Sequence, residues 1–236
     1  MSLGARVEGW LPQDMAAADR GWTVGWANGT PDTGILVNPD QAFSGTKGMF
    51  CIQNEAPLGT QGDNGSPLMV VPSWFTLSCT VISAADTSAR LYGVVDSKLR
   101  YSSGGSQLIA PEFGYKRADF NGTVAGALPA KAGPFARVQF GNLTFTAASA
   151  LKQNINSRIF KTQATPQWNL GDQVTFIFAS PRTSGQALNA AAAASSIVVY
   201  LGAVALPPQS SYTLHYWAPA QTTAPTFEID GEHLEV

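Results

Sequence analysis

A chain of 236 residues, 44% of them hydrophobic, can bury a core without disulfides or metal and falls in the size range of a single all-β domain. Only 13% of positions are charged and the net charge is -2, with no Lys/Arg tract, which excludes a dedicated nucleic-acid-binding arm. No apolar run reaches transmembrane length, and Met1 to Trp10 is too short and too polar for a signal core, so the expectation is a soluble chain made without a secretion signal. A surface this poor in Lys and Glu is weakly defended against association, which points to burial in an assembly.

In chain order, Leu11–Arg20 after Pro12 predicts one short helix. Gly21–Trp26 is the first strand-like piece. Asn28–Gly34 is dense turn chemistry, since Asn-Gly and Pro-Asp supply the backbone angles that turns need. Ile35–Val37 predicts a brief strand, and Gly48–Ile52 a further one. Another loop spans Pro57–Pro67. Val70–Ile82 is the first strong strand, with Trp74, Thr76, Ser78 and Thr80 on one face and Phe75, Leu77, Cys79 and Val81 on the other. Arg90–Val95 follows as its expected hairpin partner. Ser102–Ser106 predicts a flexible turn. Tyr115–Gly133 is irregular, with one strand around Phe120. Arg137–Phe140 and Leu143–Thr146 flank Gly141-Asn142, a two-residue hairpin turn in reversed order.

Thr146–Phe160 is the best helix candidate, because Ala147, Ala150, Leu151, Ile155 and Ile159 recur three to four apart. Asn169–Asp172 is a turn before the strand Gln173–Ala179. The alanine row Ala190–Ala194 reads either as helix, by propensity, or as an exposed loop. Ser196–Leu206 is a long apolar run rich in β-branched residues, interrupted by Pro207-Pro208. Tyr212–Ala218 resumes as a strand, and Pro225–Asp230 is extended. Two such closing strands must be covered by a second sheet laid down earlier. The sum is an all-β, two-sheet antiparallel jelly-roll sandwich with one or two short helices in its loops. Residues 1–40 are expected as an extended N-terminal arm and 41–236 as one sandwich domain.

The residues that carry chemistry are few. His215 lies in a strand and His233 in the tail; neither has a nucleophile or carboxylate in a recognisable arrangement, so both read as core or surface residues. Asp96, Asp119, Asp172, Glu228 and Asp230 are carboxylates that glycoside chemistry would need in pairs, but turn or surface roles fit each of them better. No catalytic, cofactor-binding or metal-binding residue is assigned, and the chain is not expected to be an enzyme. Cys51 and Cys79 read as buried free thiols, with a bridge between neighbouring strands the alternative if the chain is secreted. Sequons at Asn28, Asn64, Asn121 and Asn142 read as turn residues. Trp10, Trp22, Trp26, Trp74, Trp168 and Trp217 read as core or interface, the alternative being that they line a sugar-stacking face, to be tested at Trp22, Trp26 and Trp74.

The closing segment, Ile197–Val204, Pro207-Pro-Gln209, Tyr212–Trp217 and Pro225–Gly231, resembles the last two strands of picorna-like virus coat proteins, in particular the comovirus small coat protein and its insect-virus relatives. The resemblance implies a capsid subunit that assembles into an icosahedral shell with copies of itself or sister subunits. It also implies an enclosed viral genome, taken as RNA and contacted weakly and non-specifically, and a location in the virion after assembly in the host cytoplasm. Such proteins are mostly cut from a polyprotein, so Met1 implies a separate reading frame, a first position in the precursor, or a different family. A second resemblance, on Gly21–Val24, Ala42–Cys51 and Phe227–Glu235, is to jelly-roll carbohydrate-binding modules and phage fibre tips, and implies a glycan- or receptor-binding module.

Overall fold

The computed structural model describes residues 22–27, 34–38, 40–61, 66–81, 90–108, 135–157, 168–178, 196–218 and 224–235. The strands among them are β1 (Trp22–Ala27), β2 (Ile35–Leu36), β3 (Lys47–Asn54), β4 (Val70–Val81), β5 (Arg90–Asp96), β6 (Tyr101–Gln107), β7 (Ala136–Phe145), β8 (Lys152–Ser157), β9 (Gln173–Ile177), β10 (Ser196–Tyr200), β11 (Ser211–Trp217) and β12 (Thr226–Glu235). They form two sheets. Sheet A has the order β1-β12-β4-β9-β10, with β2 paired to the start of β12; sheet B has the order β6-β7-β3-β11-β5-β8.

Eight strands give the jelly-roll order, β1-β12-β4-β9 against β3-β11-β5-β8. From β3 to β5, and again from β8 through β9 and β11 to β12, the chain steps from one sheet to the other between these strands. The antiparallel pair β6 and β7 extends sheet B beyond β3, and β10 joins the far edge of sheet A parallel to β9.

The core between the sheets follows from the two-residue alternation. β4 buries Phe75, Leu77 and Cys79 and leaves Trp74, Thr76 and Ser78 half-exposed on its other side. Phe50 of β3 stacks on Phe75 of β4 at 4.5 Å, and Phe75 stacks on Phe176 of β9 at the same separation. This row of rings ties sheet B to two strands of sheet A. Trp26 of β1 packs onto both Phe50 and Phe75, at 5.5 and 6.4 Å. Farther along, Trp168 meets Phe227 edge-on at 4.9 Å and donates its indole N–H to the Tyr216 hydroxyl at 3.0 Å, so a large aromatic is buried with its polar atom satisfied.

The Pro207-Pro208 interruption is a turn whose backbone is held from within. Gln209 takes the left-handed conformation, with φ 65°, unusual for a residue with a side chain. Its amide donates to the Ala56 carbonyl at 2.8 Å and its backbone N–H donates to the Asn54 carbonyl. Asn54, fully buried, donates in turn to the carbonyls of Leu68 and Leu206 at 2.9 Å each. These bonds dock the turn that launches β11 onto the end of β3.

Several expectations are corrected. No helix occurs among the described residues, and the helix expected from Thr146 to Phe160 is in part β8, a strand paired with β5 from Asp96↔Lys152 to Leu91↔Ser157. The open edge of β5 gives this segment a full ladder of hydrogen bonds, and that pairing overrides a loose three-to-four spacing. Leu151, one of the supposed helix-face residues, is 76% exposed. β7 runs straight through Gly141-Asn142 and does not turn there; Gly141 (φ 118°) sits where the pairing with β3 and β6 shifts register. Ser102–Ser106 is likewise strand β6, its Gly104 and Gly105 in positive-φ bulge positions. A Cβ on Gly105 would lie 2.5 Å from the Phe140 carbonyl oxygen, so the close approach requires glycine.

β5 is not the hairpin partner of β4, because the two lie in different sheets, each between other strands. The apolar run Ser196–Leu206 is not one strand either. β10 stops at Tyr200, Gly202 adopts φ 87°, and Leu206 returns to pair with Val70. The β9–β10 pair makes the sandwich not wholly antiparallel. Within residues 1–40, expected as an extended arm, β1 and β2 pair with β12 in sheet A. The helix expected at Leu11–Arg20, the strand near Phe120 and the alanine row lie outside the described residues. Among the described residues, no helix is long and apolar enough to cross a membrane.

Cys51 and Cys79 are free and buried. Cys79 belongs to the core between the sheets, whereas Cys51 joins Leu143 and Phe145 in a smaller cluster on the outer side of sheet B. A sheet separates them, which removes the disulfide alternative.

Phe75→Ala takes the middle ring out of the inter-sheet row. A loss of about 3–5 kcal/mol is expected, read as a lower midpoint in urea unfolding with an unchanged slope.

Candidate functional site

Strand β11 is apolar or uncharged on both faces, and this locates the site. Tyr212, Leu214 and Tyr216 point into the core, while Thr213, His215 and Trp217 occupy the outer face of sheet B; all but Trp217 are buried. An outer face can be dry only if something covers it. The cover is the loop 43–46 on one side and residues 146–149 on the other, both tied down by Arg100. The Arg100 guanidinium is 1% exposed and donates to the carbonyls of Thr146 (2.8 Å) and Gly45 (2.5 Å). It lies 3.7 Å from the Asp96 carboxylate, which accepts from the backbone N–H groups of Lys98 and Ser149. Burial lowers the Arg100 pKa from its ordinary value, and Asp96 opposes that shift. One buried ion pair thus fixes two loops.

Between those loops lies a cleft of about 410 Å³ whose walls include Phe43, Tyr92, Arg100, Lys152, His215 and Trp217. Phe43 stands steeply against two of the other rings. Phe43 meets Tyr92 at 5.4 Å and 89°, and Trp217 at 5.3 Å and 72°, with His215 at 5.3 Å. The volume is near the low end of the roughly 300–1,000 Å³ that small-molecule sites occupy.

His215 forms the floor of the cleft and is fully engaged. Nδ1 lies 2.6 Å from the Lys47 carbonyl, which can only accept, so Nδ1 carries the hydrogen and Nε2 is left to accept from the Thr213 hydroxyl at 3.3 Å. Burial pushes its pKa down to about 4, with Arg100 adding to the shift and the bond to Lys47 opposing it. A neutral imidazole with both nitrogens bonded is a structural member of the floor.

The other residues singled out in the sequence do not converge on this cleft. His233 is buried in β12, with Nε2 3.5 Å from Glu235, whose Oε1 also accepts from the Ala136 backbone N–H at 2.9 Å. Burial favours the protonated form of Glu235, but these bonds outweigh it and hold the carboxyl below its usual range. Asp172 closes a turn by accepting from the Asn169 N–H at 2.7 Å. Glu228 and Asp230 lie two apart on the outer face of sheet A, opposite Ser78 and Thr76; partial burial raises the Asp230 pKa, and Glu228 adds to it. Asp119 lies outside the described residues, as do Asn28, Asn64, Asn121 and Trp10. The Asn142 amide is committed at both ends, accepting from the Asn38 N–H and donating to the Leu36 carbonyl.

Of the six tryptophans weighed for sugar stacking, Trp26 and Trp168 are core, Trp74 is half-buried on sheet A and Trp217 lines the cleft; Trp10 and the Trp22 side chain lie outside the described residues. The aromatics that do line a cleft are Phe43, Tyr92 and Trp217, and the sequence reading picked out neither Phe43 nor Tyr92 for it. The available signal was β11, a strand with no charge on either face. Among the described residues no group of His, Cys, Asp and Glu could hold a metal ion. Compared with protein-family models, curated proteins and solved structures, the chain has no match.

Two outcomes are expected from the polar floor. Arg100→Met leaves Asp96 buried and unpaired, and a loss of about 3–5 kcal/mol is expected in chemical unfolding. His215 resists protonation when folded, whereas the unfolded chain binds that proton below pH ~6.5. Its contribution is therefore complete above pH ~6.5 and falls by about 1.4 kcal/mol per unit as pH drops toward 4. His215→Gln should flatten that limb of the stability–pH curve, measured by urea unfolding at successive pH values.

Proposed function

We propose that this chain is the coat subunit of a viral shell, assembling with copies of itself or sister subunits around a genome. The observation that carries the reading is the jelly-roll order, β1-β12-β4-β9 against β3-β11-β5-β8, completed by β11 and β12, which hold the Tyr212–Trp217 and Pro225–Gly231 parts of the segment that resembles picorna-like coat proteins; Ile197–Val204, the rest of that segment, is not one strand of it. The reading is one of fold and resemblance, since jelly rolls also serve lectins and other proteins.

The distribution of exposed apolar side chains supports it. Leu36 and Val81 both pair with Thr226, from opposite sides of β12, and are 50% and 51% exposed. The turn carrying Leu170, 67% exposed, is hydrogen-bonded to Cys79, two residues from Val81. Three large apolar side chains are thus exposed toward one end of sheet A, area that a neighbouring subunit would cover. Shell assembly works by such contacts repeated under symmetry. In this reading the work of the chain is mechanical: loops and sheet ends bury apolar area between neighbours, and no bond is made or broken.

Negative-stain microscopy and size-exclusion chromatography of the native material test it. Closed particles tens of nanometres across are expected, and the double substitution Leu36→Glu, Leu170→Glu should shift material from particles to free subunits while leaving the melting temperature of the subunit unchanged. A monomer or small oligomer under every assembly condition, with or without a genome-length RNA, would contradict the proposal.

A further inference from the structure

We propose that the cleft on the outer face of sheet B binds a single acidic sugar unit, a pyranose ring bearing one carboxylate, against Tyr92 and Trp217 with its carboxylate on Lys152. This goes beyond the shell reading and does not depend on it; the site is complete within one chain.

The chemistry of the walls selects the ligand. Among the described residues lining the cleft there is no carboxylate. Arg100 is buried, its charge is opposed by Asp96 at 3.7 Å and two of its N–H groups are spent on carbonyls, and both His215 nitrogens are bonded. Among the described residues, the Tyr92 hydroxyl, the Trp217 indole N–H and the Lys152 ammonium have no hydrogen-bonding partner, and Lys152 lies exposed at the start of β8. Two of these three groups can only donate, and one carries a positive charge. Such a set calls for an acceptor-rich ligand with one negative charge. A phosphate, with its second charge and three oxygens, would need further cations or a nest of backbone N–H groups.

Ring geometry decides the rest. A planar aromatic acid cannot lie flat on Phe43 and on either other wall at once, because Phe43 stands at 89° to Tyr92 and at 72° to Trp217. Orthogonal π faces suit a puckered ring whose C–H bonds, slightly positive, point in several directions. The size of the cleft admits one ring with its substituents, and its open side lets a longer glycan continue into solvent. The floor is rigid, because β11 and β5 are interior strands of the sheet and the loops are pinned through Arg100, so little ordering cost opposes binding.

The carboxylate could come from a terminal sialic-acid-type sugar or from a uronic acid within a polysaccharide, and the two are separate arms of the test. Titration of the whole chain with N-acetylneuraminic acid, with glucuronic acid and with glucose, followed by ligand-observed saturation-transfer NMR, should show binding of at least one acidic sugar and roughly tenfold weaker binding of glucose. Lys152→Ala should weaken the acidic sugar by about tenfold, Lys152→Arg should retain it, and Trp217→Ala should abolish it in a chain whose melting curve shows it folded. Equal binding of glucose, loss-free binding by Lys152→Ala, preference for indole-3-carboxylate, or no binding by any acidic sugar at millimolar concentration would each overturn the proposal. Particle formation, read separately, is unaffected by either outcome.

Discussion

Each sheet is completed in its middle by a strand from the last 26 residues of the chain. β12 lies between β1 and β4, and β11 lies between β3 and β5, so neither sheet is continuous until residues 211–235 are in place. Everything else depends on that constraint. The row Phe50–Phe75–Phe176 can face inward only when β11 holds β3 in sheet B and β12 holds β4 in sheet A. The pairings are almost all between residues distant in sequence, so loop-closure entropy must be overcome before they are rewarded. A chain built this way is expected to fold slowly and to expose unpaired edges until its C-terminus arrives.

The same constraint places the cleft. β11 is interior to sheet B, and its outward residues Thr213, His215 and Trp217 sit at the centre of a broad face. A central strand with an apolar outer side needs a lid, and the chain supplies one from two loops with no regular structure of their own. Those loops present backbone carbonyls, which need a donor, and Arg100 provides it with a fork of N–H groups that lysine could not match. Asp96 in turn neutralises Arg100 and accepts from Ser149, so the loop 146–149 is joined to β5 as well. The cleft is what remains where the lid does not close.

A polar, low-charge exterior and a dry interior therefore meet at only a few places. One is the cleft, where rings and a single lysine reach solvent. Another is the end of sheet A carrying Leu36, Val81 and Leu170. The cleft lies on the outer face of sheet B and the apolar end belongs to sheet A.

Strand content, the two faces of β4, the turn at Asn169–Asp172 and the extended nature of Tyr212–Ala218 and Pro225–Asp230 were legible in the sequence, because each follows from local period and turn chemistry. The alternation set Phe75, Leu77 and Cys79 on one face, and the structure makes that face the buried one. Partners were not legible. β4 and β5 look like a hairpin since they are neighbours in the chain, yet pairing energy across the sandwich assigns them to opposite sheets. Residues 152–157 carry a helix-like spacing, and the open edge of β5 makes them a strand. The cleft was hidden for the same reason: Phe43, Tyr92, Arg100, Lys152 and Trp217 come from five separate segments, each unremarkable alone. The sequence by itself determined which residues avoid water; only the tertiary structure decided which of them meet, because pairing and packing are set by contacts that the linear order does not contain.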